Sequence, residues 1–361
     1  MDQYLEVTPE KNPIIREDLM RIASSDLPWN KLKGVGIMVT GGSGFLASYL
    51  VKTILAANVL YNLNCTVVCV VRSLTKAKQR LNDYLDQPNL TIVEHDISNP
   101  LPENIPRIDY LIHAASQASP KFYSTDPTGT LLANTVGTSY LLNHAVKSKV
   151  RGFLFFSSGE IYGNQINPNK KISENNYGIV DPMNLRSCYA ESKRMGENMC
   201  VAWANQFSLH ATIVRPFHTY GPGMDLKDGR VFADFVADVV NNKDIVIKSD
   251  GLAFRSFLYI TDATTAFINA LLHGEKAEAY NVGNPNAEIR IKDLAITLTK
   301  LFPEKKITKK IERFTDTNLH LRSQIQRSRP AIDKMMNLGW YPLVSIEDGF
   351  RRTILSFDKA N

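Results

Sequence analysis

Short runs of consecutive apolar residues alternate along this chain with longer stretches in which apolar positions recur every three or four residues. From residue 35 onward the order is regular. Residues 35–40, 66–71, 90–94, 110–113 and 152–157 read as strands. Phe153-Leu-Phe-Phe156 is apolar throughout, as a strand covered on both faces must be. Between these runs, residues 45–57, 75–85 and 127–147 carry the helical period. Strands and helices in strict alternation predict an α/β protein with a doubly wound parallel sheet and helices on both faces. After residue 157 the pattern loosens into a loop rich in Asn, Pro and Lys over 163–184. A helix at 187–205 and a strand at 210–214 then return to the sheet. Beyond Pro216 the segments are shorter and mixed, which predicts a smaller mixed α/β C-terminal domain with chain crossings between the two. At the other end, residues 14–23 predict a short amphipathic helix closed by Ser-Ser-Asp-Leu-Pro, so residues 1–33 read as an N-terminal extension appended to the fold.

Composition narrows the class. A chain of 361 residues exceeds what one compact core usually serves. Its 44% hydrophobic and 22% charged residues exclude a disordered, collagen-like or coiled-coil protein. The 42 Lys and Arg against 36 Asp and Glu leave a formal charge of +6, which suits an anionic small molecule and does not call for nucleic acid. No apolar run approaches the ~20 residues that cross a bilayer. The first thirty residues lack the apolar core of a signal peptide, so the expected location is cytoplasmic, with no membrane partner. The four cysteines, Cys65, Cys69, Cys188 and Cys200, form no C-x-x-C pair; a reduced compartment and no metal site are expected. Lys305, Lys306, Lys309 and Lys310 read as a solvated face.

Three local patterns carry candidate chemistry. Gly42-x-Gly44-x-x-Ala47 follows the first strand and opens the first sheet helix; it also reads as Gly41-x-x-Gly44-x-x-Ala47. Such a turn, in a Rossmann-like unit, lets the backbone approach a pyrophosphate while the helix N-terminus offers N–H donors. A plain tight turn is the alternative. At the end of the second strand stands Arg72, where an acidic residue would hold the adenosine ribose. An arginine there can pair with the 2′-phosphate of NADP, stack on adenine or face water. The second pattern, Tyr189-Ala-Glu-Ser-Lys193, puts a phenol and an amine on one helix face. A free phenol, with a pKa of about 10, is too weak a base at neutral pH. A neighbouring ammonium favours the phenolate, which then accepts a hydroxyl proton as hydride leaves the same carbon. In the third, the strand ending at Phe156 runs out into Ser157-Ser158-Gly159-Glu160, where ligands of such sheets bind; two residues apart in extended chain, Ser158 and Glu160 point the same way.

With these elements in place, residues 34–357 resemble an extended short-chain dehydrogenase/reductase of the nucleotide-sugar epimerase, dehydratase and decarboxylase group. The stretches that carry the likeness are Val39-Thr-Gly-Gly-Ser-Gly-Phe-Leu46, His95-Asp96-Ile97, His113-Ala-Ala-Ser116, Asn134-Thr-Val-Gly-Thr138, Ser157-Ser158, Tyr189 to Lys193, Arg215-Pro216, Tyr220-Gly-Pro222, Arg255-Ser-Phe257 and Leu338-Gly-Trp340. Within the group the chain looks closest to the UDP-glucuronate decarboxylases. This rests on Ala115-Ser-Gln-Ala-Ser-Pro120 with Tyr123 and Pro127, on Ser187 to Arg194, and on Asp228-Gly-Arg-Val-Phe232. The resemblance implies a tightly held NAD that is used catalytically and not consumed, residues 34–215 mainly binding it and 216–361 mainly binding the nucleotide sugar. It implies a catalytic set of Ser158, Tyr189 and Lys193, with Glu160 as an extra acid. Cofactor contacts would come from Gly41, Gly44, Phe45, Leu46, Arg72, Asp96 and Ile97 (beside adenine), Ala114, Ala115 and Ser116 (ribose and pyrophosphate), Asn134, Tyr189, Lys193 and Pro216. Substrate contacts would come from Ser119, Glu160, His218, Val231 and Arg255 (at the diphosphate). A homodimer is implied as well. The chain departs from the group at His218, which replaces a common asparagine, and at Gly223, which replaces an arginine. All three reactions of the group begin with oxidation at the sugar's C4. A decarboxylase uses Glu160 after that step, a 4-epimerase leaves it idle, and a 4,6-dehydratase would want a second acid where Gly159 stands. A cofactor-binding regulator without turnover is the reading from a different class, and the intact Ser158, Tyr189 and Lys193 count against it.

Overall fold

The computed structural model describes residues 6–165, 167–312 and 325–358. In chain order the helices are α1 (Pro13–Ala23), α2 (Phe45–Leu60), α3 (Leu74–Arg80), α4 (Pro120–Thr125), α5 (Pro127–Asn134), α6 (Val136–Lys147), α7 (Ser187–Phe207), α8 (Val231–Val240), α9 (Ile260–His273), α10 (Ile291–Leu301), α11 (Asp333–Asn337) and α12 (Ile346–Leu355). The strands are β1 (Gly36–Thr40), β2 (Thr66–Val71), β3 (Leu90–Glu94), β4 (Tyr110–His113), β5 (Gly152–Phe156), β6 (Ala211–Pro216), β7 (His218–Tyr220), β8 (Ile245–Ile247), β9 (Phe254–Tyr259), β10 (Ala279–Val282), β11 (Glu288–Arg290), β12 (Lys309–Ile311) and β13 (Arg327–Ser328).

Seven parallel strands in the order β10-β6-β5-β4-β1-β2-β3 form the main sheet, the doubly wound Rossmann-like arrangement that the alternating pattern predicts. Every residue of β1, β4 and β5 is buried, because helices cover both faces. The chain order reverses between β1 and β4, and that crevice is where such sheets take ligands. After β6 the chain builds a second, smaller sheet around β9, which pairs with β7, β11 and β13, and a β8–β12 pair beside it. Between β9 and β11 the chain returns once to the main sheet as β10.

The structure departs from the sequence pattern in two places. The first is the N-terminal segment, which is no appendage. Asn12 caps α1 by accepting the N–H groups of Ile14 and Ile15, and the helix presses Leu19, Ile22 and Ala23 into the core that α2 and α9 share. Trp29 and Leu32 fill the same core. Two buried ion pairs tie the segment down: Glu10 with Lys52 at 2.6 Å, and Asp18 with Arg352 at 2.8 Å. The apolar stripe of α1 is read correctly from its period, but only the packed fold shows that α2 and α9 have an apolar face waiting for it. The second departure is the long helix expected over residues 127–147, which breaks at Thr135 into α5 and α6. At the break the Asn134 carbonyl accepts the Thr138 hydroxyl at 2.7 Å, and the Asn134 side chain turns to Ser192 on α7. Helix α4, ahead of α5, is too short to show a period.

Candidate active site

The carboxyl ends of the parallel strands deliver the predicted side chains to one edge of the sheet. Strand β1 ends at Thr40 and enters Gly41 at φ +74°, where a Cβ would stand 2.6 Å from the Ala115 Cα; only glycine lets this turn lie against the loop after β4. Gly44 is the N-cap of α2 with no side chain over it, so the first N–H groups of that helix, those of Phe45 and Leu46 among them, have no intrahelical or capping partner. In the facing loop Ala114 is half-buried, Ala115 donates its N–H to Thr40, and the buried Ser116 Oγ lacks a partner. A bare turn, an uncapped helix and an unpartnered buried hydroxyl fit a dinucleotide's diphosphate.

On the β2–β3 side, Arg72 is exposed. Its charge adds to the hydrogen bonds from Gln117 and the Gly129 N–H that hold the Asp126 carboxyl below its ordinary range. Asp96 accepts the Ser98 N–H, and Ile97 packs against Gly137 at the start of α6. Asn134 is wholly buried, and its Oδ1 has no partner. Pro216 closes β6 opposite Val282.

The catalytic candidates converge at β5 and α7. Ser158 caps the tight turn after β5, its Oγ accepting the Glu160 N–H at 3.1 Å, and its hydroxyl lies beside that of Tyr189. Tyr189, 7% exposed, stacks on Tyr123 with ring centroids 5.2 Å apart. Lys193, 1% exposed, lies over the Phe155 ring and 5.8 Å from the centroid of Tyr189. Gly196 lets α7 come this close, since a Cβ there would collide with Phe155. The Lys193 ammonium donates to the Phe156 carbonyl at 2.6 Å. Burial pushes the Tyr189 hydroxyl above its ordinary range; the neighbouring Ser158 hydroxyl and the charge of Arg230 oppose that, while Glu160 adds to it. Burial also brings Lys193 down to about 7, with Glu197 opposing.

The substrate candidates close the other side. Ser119 donates to the Asp228 carbonyl at 2.6 Å, which ties α4 to the segment that opens α8 at Val231. His218, on β7, is held neutral by burial and by the charges of Arg255 and Arg230, and its Nδ1 has no partner. Arg255, on β9, acts on the same Glu160 and donates to the Phe254 carbonyl. Sequence reasoning missed two arginines here. Arg186, just before α7, forms a 2.9 Å ion pair with Glu160 and lies over the Tyr123 ring. Arg230 donates to the Ala118 carbonyl. Arg186 sits one residue ahead of the helix predicted at 187–205 and Arg230 one residue ahead of α8, and a search for basic residues flanking Tyr189 and Val231 would have found them. Arg186, Arg230 and Arg255 against Glu160 and Asp228, the latter 3.3 Å from Arg230, leave a net positive charge, while His218 adds none. Where the group's arginine gives way to Gly223, Arg80 arrives from α3 and donates to the Gly223 carbonyl at 2.5 Å.

Among the described residues no helix is long and apolar enough to cross a membrane. The family model described as the NAD dependent epimerase/dehydratase family matches residues 37–283. UDP-glucuronic acid decarboxylase 6 of Arabidopsis thaliana is 31% identical over 87% of this chain and 86% of its own length. UDP-glucuronic acid decarboxylase 1 of Xenopus tropicalis is 31% identical over 90% of this chain and 72% of its own. The crystal structure of a UDP-glucuronic acid 4-epimerase from Bacillus cereus shares the fold, with a TM-score of 0.75 at 22% identity over 90% of this chain and all of that one.

Proposed function

The chain belongs to the NAD dependent epimerase/dehydratase family, and on that premise we propose that it decarboxylates a nucleotide-diphosphate-linked uronic acid, UDP-glucuronate being the first candidate. The observation that carries this reading is the Glu160–Arg186 ion pair beside the Ser158–Tyr189 hydroxyl pair. It is a second charged device next to the proton acceptor, and a bare epimerisation has no use for it. The curated decarboxylase relatives and the three arginines, which suit a substrate bearing both a diphosphate and a carboxylate, support it further.

The Gly41–Leu46 turn and the Ala114–Ser116 loop would hold NAD, which would supply a hydride acceptor at the start of the cycle and a hydride donor at its end. The Tyr189 Oη takes the proton of the C4 hydroxyl, and Ser158 hydrogen-bonds that oxygen. A ketone at C4 makes the C5 carboxylate that of a β-keto acid, which loses carbon dioxide when the cationic pocket stabilises the enolate. The C5 of the enolate then takes one proton from solvent, relayed by the Glu160 carboxylate beside Arg186, and Tyr189 returns its proton to the C4 oxygen as the ketone is reduced. Ser119, His218, Val231 and Arg255 line the substrate side, Arg255 at the diphosphate. A cytoplasmic homodimer belongs to the same reading.

Purified protein, with no added nucleotide, is incubated with UDP-glucuronate and with neutral UDP-, GDP-, CDP- and dTDP-sugars, and the products are weighed by mass spectrometry. The expected product is a UDP-pentose with release of carbon dioxide. An isomer of unchanged mass, or a dehydrated sugar, would replace decarboxylation by epimerisation or dehydration. Glu160→Gln should slow carbon dioxide release more than it slows cofactor reduction in a single turnover; parental release would remove Glu160 from the chemistry. Nucleotide freed by denaturation is expected to be NAD, leaving Arg72 in solvent; recovery of NADP alone would assign Arg72 to the 2′-phosphate.

A further inference from the structure

His113, the last residue of β4, is 1% exposed and takes no direct part in the proposed chemistry. Both of its ring nitrogens are engaged: Nδ1 lies 3.0 Å from the Thr40 Oγ1, and Nε2 lies 3.0 Å from the Thr138 Oγ1. The neighbours decide which nitrogen carries the hydrogen. The Thr138 hydroxyl donates to the Asn134 carbonyl, which can only accept, so its oxygen must accept from His113 and the hydrogen sits on Nε2. Burial, helped by the charge of Lys193, brings the imidazole down to about 3, so at neutral pH the ring is uncharged and Nδ1 is an acceptor. The Thr40 hydroxyl therefore donates to Nδ1, and its oxygen accepts the Ala115 N–H at 3.2 Å.

The chain of bonds continues past Asn134. The Asn134 Nδ2 donates to the Ser192 Oγ at 3.0 Å, and that hydroxyl donates to the Tyr189 carbonyl at 3.0 Å. Every link has one donor and one acceptor, with no joint left to flip. One end is the loop that faces the glycine turn; the other is the backbone of the residue proposed to take the substrate proton.

We propose that His113 is a positioning residue that locks the cofactor loop after β4 and the first turn of α7 into one register, through Thr40 on one side and Thr138, Asn134 and Ser192 on the other. The proposal rests on the reading that Ala115 borders NAD and that Tyr189 is the proton acceptor. A charged imidazole could not accept from Thr40, so the lock also requires the ring to stay neutral beside Lys193. The side chain that best replaces it is glutamine, whose amide accepts at one end and donates at the other, as this tautomer does.

Thr40→Val, Thr138→Val, His113→Leu and His113→Gln are purified with their nucleotide. Bound nucleotide, its rate of release, kcat, KM and melting temperature are then measured for each. Thr40→Val should release nucleotide at least ~10-fold faster than the parent. Thr138→Val should retain nucleotide but lose roughly 10- to 100-fold in kcat with KM little changed, the scale of a small misplacement at a reacting group. His113→Leu should show both defects, and His113→Gln should recover most of each. Should His113→Leu fold poorly, the two threonine variants decide. The proposal is overturned if the variants lower only the melting temperature, with nucleotide release and kcat at parental values, or if glutamine is no better than leucine. Nucleotide release needs no substrate, so it reads the lock even if the parent turns over no uronate, an outcome that would sink the proposed function alone.

Discussion

At the scale of single residues, the site puts a phenol and an amine under the same burial with opposite results. Burial raises Tyr189 and lowers Lys193, so each is pushed toward its neutral form. Tyr189→Phe keeps the ring stacked on Tyr123 and removes only the proton acceptor. The variant should fold, retain nucleotide and lose at least ~100-fold in turnover, and near-parental turnover of the substrate would refute the role. Lys193 leads to a pH experiment. Folded, the amine loses its proton near 7; unfolded, near 10.5. Below pH 7 the full cost of burying the ammonium is present. Between those values the unfolded chain holds the extra proton, so this contribution to stability rises with pH. Lys193→Met removes it. In nucleotide-stripped protein the variant should melt above the parent at pH 6, with the gap closing by pH 10; a gap independent of pH would show that the amine is not neutralised on folding. The Tyr189–Lys193 pair is legible in the sequence because four residues make one helical turn. That the amine would point at the Phe156 carbonyl is not, because that oxygen belongs to a strand 37 residues away.

At the scale of elements, α1 and α12 are joined through charge in a dry place. The Asp18 carboxylate, with no exposure, accepts from Arg352 and from the Tyr259 hydroxyl, yet burial still lifts it to about 6. Arg352→Met strands that carboxylate. Thermal unfolding at pH 7.5 should show a loss of about 3–5 kcal/mol, the usual consequence of leaving a buried charge unpaired. The loss should shrink at pH 5, where Asp18 binds a proton and no longer needs a partner. An equal loss at both values would mean that Arg352 contributes packing and not charge. The same scale shows where periodicity misleads. Residues 127–147 keep a helical pattern through Thr135, but Asn134 spends its carbonyl on Thr138 and its amide on Ser192, and the helix breaks there.

At the scale of the whole molecule, the N-terminal segment behaves as a structural part of the helical layer that α2 and α9 form against the main sheet. Removing residues 1–24 would expose the faces of α2 and α9 that cover Leu19, Ile22 and Ala23, and would leave Lys52 and Arg352 without their carboxylates. The truncated protein should melt at least ~10 °C lower than the parent and yield less soluble material. A truncation that melts with the parent would return the segment to the status of an appendage.

What the sequence determined by itself is what repeats over short distances. Consecutive apolar runs separated by helical periods dictate the parallel sheet, because a strand buried on both faces has no polar positions to spare. The spacing of Gly41, Gly42 and Gly44 dictates a bare turn at a helix start, and four-residue spacing puts Tyr189 and Lys193 on one face. The tertiary structure alone decided what depends on distant chain. Glu160 meets Arg186 across 26 residues, and Asp18 meets Arg352 across 334. Arg186, Arg230 and Arg255 make one positive pocket only because β9 and the starts of α7 and α8 converge on it. His113 looks like any apolar-strand histidine until Thr40 and Thr138 fix its hydrogen. Periodicity reports which face of an element is buried; which partner waits there is set by packing between elements that no local pattern encodes.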